Sequence, residues 1–144
     1  MNKIHVEIVV NGDLKKVWKF WNEPECIKLW AFASDDWECP YAENDLVAGG
    51  KFLTRMSAKD KSFGFDFSGM YIEVKEFEKI QYVLSTDIND AEARKCEINF
   101  SDLGDGAVKI TEIFDPETEN SLEMQKNGWQ SILNNFKQAV ETSE

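Results

Sequence analysis

Between Asn120 and Thr142 the apolar residues Leu122, Trp129, Ile132, Leu133, Phe136 and Val140 recur at steps of three, four and seven. That period keeps one side of an α-helix apolar. Glu123, Asn127, Gln130, Asn134, Lys137 and Glu141 are then left for water. Asn120, with Glu123 three residues on, has the spacing of a capping box. At ~1.5 Å per residue such a helix is roughly 30 Å long, about the width of a small domain. A helix of that length with a single apolar stripe needs a broad surface to lie on. The preceding chain must supply it, and most of that chain reads as strands.

Ile4, Val6, Ile8 and Val10 alternate with His5 and Glu7, which predicts a strand over residues 3–10. Asn11-Gly12-Asp13 ends it, with Asp13 placed to cap a helix over Leu14–Trp21. Pro24 opens a second short helix through Trp30. Six strands follow. Trp37–Ala42 holds Pro40, which removes a ladder donor and marks a sheet edge. Phe52–Met56 comes after the backbone break Gly49-Gly50, then a long strand over Phe63–Glu76 with Phe65, Phe67 and Tyr71 on one face around Gly69. Ile80–Leu84, Cys96–Phe100 and Val108–Phe114 complete the set. Short turns join these six, so they form an antiparallel meander. The order β-α-α-β6-α has no βαβ alternation, which makes the class α+β. A length of 144 residues suits one domain, residues 1–144, with a core large enough to stand without disulfides.

Charge narrows the partners. Sixteen basic residues against 27 acidic ones leave a net charge of −11. Such a surface repels phosphate backbones and anionic lipid, so no nucleic acid and no membrane surface are expected as partners. Cys26, Cys39 and Cys96 are an odd set at unrelated spacings, and His5 is the only histidine. A zinc site cannot be assembled from them at the usual spacings, and no metal or other cofactor is expected. Reduced thiols in a cytoplasmic protein are the simpler reading.

Several stretches resemble a known family. They are Ala33-Ser34-Asp35-Asp36-Trp37, Ala42-Glu43-Asn44-Asp45-Leu46 running into Gly49-Gly50-Lys51-Phe52, Gly64-Phe65-Asp66-Phe67 with Gly69 and Tyr71, and Gly128-Trp129-Gln130 with Ile132-Leu133 and Asn135-Phe136-Lys137. In this order they are similar to the bacterial homologues of the activator of heat-shock-protein-90 ATPase, within the START and birch-pollen-allergen superfamily. That resemblance implies a helix-grip fold, a curved antiparallel sheet wrapped around one long C-terminal helix, with a cavity between them. It also implies two partner classes, a small apolar or amphipathic molecule and a chaperone. An enzyme of the polyketide cyclase or aromatase kind shares the fold. Ala31, Glu38 and Val47 depart from the polar residues that similar sequences carry there. Whatever those groups bind in relatives, this chain binds differently or not at all.

The residues themselves give no catalytic constellation. His5 points away from Ile4 and Val6 on its strand, and the cysteines read as apolar filler, Cys39 being the best placed for more. Gly49-Gly50 lacks the Lys-Ser/Thr and the helix of a phosphate loop. The informative set is aromatic: Trp30, Phe32, Trp37, Phe52, Phe65, Phe67, Tyr82 and Trp129 exceed what one helix-on-sheet layer needs. They are the candidate ligand-binding residues of an apolar cavity, with Arg55, Asp66 and Glu73 as candidate polar groups at its rim. The loop Asp87–Glu92 is a further candidate for that rim, and Gly128 for room beside Trp129.

Overall fold

A computed structural model describes residues 3–143. The elements are β1 (Ile4–Asn11), α1 (Leu14–Asn22), α2 (Pro24–Ile27), β2 (Trp37–Asn44), β3 (Lys51–Ala58), β4 (Gly64–Lys75), β5 (Lys79–Val83), β6 (Lys95–Gly104), β7 (Ala107–Phe114) and α3 (Leu122–Thr142). All seven strands form one antiparallel sheet in the order β1-β7-β6-β5-β4-β3-β2. The sheet curls into a half-barrel around α3, the α+β helix-grip arrangement. Pro40 does fall on the edge strand, β2, where the register shifts between Glu38 and Tyr41.

The long helix is held in two ways. Leu133, Phe136 and Val140 are fully buried, and the Phe136 ring packs on both Trp21 and Trp30 at centroid distances of 4.9 and 5.0 Å. Its polar side does more than face water. Gln130 Nε2 donates to the Glu7 carbonyl (3.1 Å), Lys137 Nζ to the Val9 carbonyl (2.8 Å), and the Asn11 N–H donates to the Glu141 carboxylate (2.8 Å). Glu7, Val9 and Asn11 alternate along β1, so these three side chains cover the backbone groups that β7 leaves free. An exposed edge strand invites pairing with another chain; here one helix closes it.

The start of α3 differs from the expectation. Ser121 is the cap, its Oγ accepting from the Met124 N–H at 3.1 Å. Asn120 is unavailable for that role, because the Glu117 carboxylate already binds its backbone and its side-chain amide. Leu122 is exposed, and the buried residue of the first turns is Gln125. Its side-chain amide donates to the carbonyls of Glu117 and Asn120 and accepts from the Glu117 N–H, so it ties the incoming loop to the helix. The second helix is also shorter than expected: after Ile27 the bonds Leu29 N–H to Cys26 and Trp30 N–H to Ile27 tighten the chain into turns. Trp30 is buried nonetheless, its indole N–H donating to the Phe20 carbonyl at 2.9 Å.

Two glycines behave oppositely. A Cβ at Gly69 would overlap the Val83 carbonyl and meet the Phe52 ring at 3.1 Å, so that ring can lie flat over β4 only because position 69 has no side chain. A Cβ at Gly128 would meet nothing. Gly69→Ala is therefore expected to lower stability by about 1–3 kcal/mol through overpacking. Gly128→Ala should raise it by up to about 1 kcal/mol through helix propensity alone. Urea midpoints of the two variants check both, and a destabilised Gly128→Ala would place that residue in a packed contact.

Candidate functional site

Strand register decides which side chains share the inner face. Opposite Phe52, Thr54 and Met56 on β3 stand Gly69, Phe67 and Phe65 on β4. Tyr71 pairs with Tyr82, Tyr82 with Cys96, Ile80 with Ile98, and Ile98 with Glu112. These side chains and the inner side of α3 enclose a cavity of about 370 Å³. Trp21, Ile27, Trp30 and Ala31 close one part of it, and Gln125, Trp129 and Ile132 form the helix wall. The rings interlock around it. Phe52 meets Tyr82 at 4.9 Å and Tyr71 at 5.2 Å, Phe67 meets Trp129 at 6.0 Å, and Trp129 stacks on Phe114 at 3.7 Å.

Six of the eight aromatic candidates line this space: Trp30, Phe52, Phe65, Phe67, Tyr82 and Trp129. Phe32 and Trp37 do not. Phe32 packs against the outside of the core, and its carbonyl accepts from the Asn135 side chain. Trp37, at the start of the edge strand, meets Phe63 and Phe65 at 6.0 Å each, near the surface. The proposed rim groups fall elsewhere too. Arg55 and Asp66 pair with each other at 3.2 Å, and Glu73 pairs with Lys79 at 3.1 Å. Arg55 and Asp66 have the parity that points away from the helix, and the register shift between Tyr71 and Glu73 turns Glu73 the same way, opposite Gln81. The loop 87–92 contributes no lining residue; Asp87, Asp90 and Ser85 fold it onto itself. Gly128 does not line the cavity either.

The polar groups of the cavity were missed in the sequence. Asn44 accepts from the Tyr71 hydroxyl and donates to the Asn22 carbonyl at 2.7 Å; Asn22 in turn donates to the Trp18 carbonyl at 3.0 Å. This relay ties β4 through β2 to α1. Burial pushes the Tyr71 and Tyr82 hydroxyls and the Cys96 thiol above their ordinary values, so all three stay protonated. Cys39 is likewise buried, its thiol raised by desolvation and directed at the Tyr41 carbonyl, as filler would be. His5 stands on the outer face beside Glu7.

Glu112 is the unusual one. It lies on β7 between Ile98 on β6 and Val6 on β1, on the inner face, and is only 5% exposed. Among the described residues its carboxyl has no hydrogen-bond or ion-pair partner, and it lines the cavity. Burial alone pushes its pKa up to about 8. The signal was present in the sequence: Val108, Ile110, Glu112 and Phe114 share one parity, so a charged residue stands in an apolar row.

With the geometry in place, comparison with known proteins gives the family. The family described as activator of Hsp90 ATPase homolog 1-like protein matches residues 12–141. The chain belongs to it. A solution structure of a protein from Cytophaga hutchinsonii is 47% identical, with 98% of this chain and 93% of that one covered and a TM-score of 0.79. An AHSA1-like protein from Aeromonas hydrophila is 36% identical over 96% of this chain and 92% of its own, with a TM-score of 0.82. A crystal structure from Chromobacterium violaceum shares the fold at 22% identity, with a TM-score of 0.83 over 99% and 100% of the two chains. Comparison with curated proteins finds no match. No helix among the described residues is long and apolar enough to cross a membrane.

Membership in this family leaves Glu112 to be explained by its surroundings, and its burial makes a stability prediction. Between about pH 4.5 and 8 the folded chain keeps a proton on Glu112 that the unfolded chain has lost. This contribution is fully present below the unfolded value and is lost as pH rises through 8. The expected loss is roughly 1 kcal/mol per pH unit across that window. Denaturant midpoints measured from pH 5 to 8 should show this fall, and Glu112→Gln should remove most of it. Parallel curves for both proteins would place the carboxyl in water.

Proposed function

We propose that this protein binds one small apolar or amphipathic molecule in the cavity between the sheet and α3. The observation that carries the reading is the cavity itself: about 370 Å³, walled mostly by rings and aliphatic side chains. That volume is within the range of small-molecule sites, and its few polar groups suit orientation more than chemistry. Glu112 is flanked by a hydroxyl and a thiol that burial keeps protonated, an arrangement better suited to holding a ligand than to cycling a proton.

A second reading comes from the family description, which names an Hsp90 ATPase activator. The surface that would serve it is the exposed end of the β3–β4 hairpin, where Phe63 is 63% exposed and meets Trp37 and Phe65. Acceleration of an Hsp90-type ATPase that is lost in Trp37→Ala would support this reading; an unchanged rate would remove it.

The cavity reading is tested with N-phenyl-1-naphthylamine, a neutral fluorescent probe. Trp21, Trp30 and Trp129 line the cavity, so saturable binding should quench tryptophan emission as probe fluorescence rises. Thr54→Phe, which adds a ring to the lining, should weaken that binding at least tenfold. Absence of saturable binding to the wild-type protein would reject the reading.

A further inference from the structure

Among the described residues, the acid Glu112 in the cavity has nothing to pair with. A buried carboxyl without a partner costs several kcal/mol as an ion and remains costly as a neutral acid. It is retained here on β7, in a row otherwise made of Val108, Ile110 and Phe114, and it opens onto the one space where a ligand would lie. Given the cavity reading above, we propose that the ligand is an organic amine: an apolar body whose ammonium group pairs with Glu112.

Three further observations favour a cation over a neutral or anionic group. The rings of Phe67, Tyr82 and Trp129 line the same space, and aromatic side chains attract ammonium groups. The whole chain carries a net charge of −11, which raises the local concentration of cations and repels carboxylates. The charged lining residues besides Glu112 are Glu43, Glu117 and Arg94. Arg94 donates its Nε–H to the Asp115 carbonyl at 3.1 Å and does not engage Glu112. The hydroxyls of Tyr71 and Tyr82 and the Cys96 thiol stay protonated, and α3 contributes only the neutral Gln125, Trp129 and Ile132. β1 presents Val6 at this position. Glu43 accepts from the Tyr41 hydroxyl and Glu117 binds Asn120, so among the described residues Glu112 is the lining acid left without a partner to meet an entering ammonium. Glu112 gives its proton to solvent and the two charges pair, each relieving the other's desolvation.

The test compares octylamine, 1-octanol and octanoate as displacers of N-phenyl-1-naphthylamine. At pH 8 octylamine should bind at least tenfold more tightly than either of the other two. Its affinity should fall roughly tenfold per unit as pH drops from 7 to 5, because Glu112 must first lose its proton; 1-octanol should show no such dependence. In Glu112→Gln the preference and the pH dependence should both vanish, while the neutral probe still binds and so reports an intact cavity. Equal affinities for amine and alcohol, with the probe still bound, would overturn the amine inference and leave the cavity reading standing. An amine preference that survives in Glu112→Gln would assign the effect to surface acids and overturn it as well. Failure of the wild-type protein to bind the probe and all three displacers would reject the cavity reading and the amine inference together.

Discussion

The contact between α3 and β1 is the constraint on which the rest of the structure depends. An antiparallel sheet of seven strands has two free edges, and each is a hazard. One, β2, is blunted by Pro40 and the irregular register around it. The other, β1, is closed by Gln130, Lys137 and Glu141 of α3, which bind its outward backbone groups. Those bonds fix the helix along one side of the sheet. The curl of the sheet then brings β3 and β4 around to face it across a gap.

The helix is not packed evenly along its length. Leu133, Phe136 and Val140 in its second half are fully buried against α1 and the β1–β7 side. Trp129, one turn before Leu133, and Ile132, next to Leu133 but on the cavity side, are only half-buried and border the cavity. Anchoring at one end and standing clear at the other lets the same element build a core and a binding space. Gln125 keeps the clear end in place, because its three hydrogen bonds hold the loop that leads into α3. Glu112 fits this division. A residue of that kind would be expelled from the packed half, and it is tolerated where the wall is open to a ligand.

The sequence carried the architecture well, because alternation and helical period are local and strong. Strand parity puts Phe65, Phe67 and Tyr71 on one face of β4, and the period of α3 puts Trp129 on its apolar side; the pairing register then brings Phe52 and Tyr82 to the same face. Trp37 and Phe32 could not be sorted that way: one stands before the register shift of an edge strand and the other lies in a loop, where parity has no meaning. Of the rim groups, Arg55 and Asp66 have outward parity, and the same rule that places the phenylalanines excludes them. Glu73 shares the parity of Phe65, Phe67 and Tyr71, and only the register shift between Tyr71 and Glu73 turns it outward to pair with Gln81. Glu112 stands inside although it is charged: it shares the parity of Ile110 and Phe114, and that position in the strand outweighs the usual preference of a carboxylate for water. The capping of α3 depended on Glu117 occupying Asn120, a contact between loop residues that no periodicity encodes.

The central claim, that a ligand lies between the open half of α3 and the sheet, is tested most directly by NMR. Isotope-filtered nuclear Overhauser spectra of the labelled protein with unlabelled N-phenyl-1-naphthylamine would locate the bound molecule. The account predicts cross-peaks from one bound probe to the side chains of Trp129, Ile132, Phe67 and Ile98. Cross-peaks confined to exposed groups such as Phe63 and Leu103, with none to those four, would contradict it.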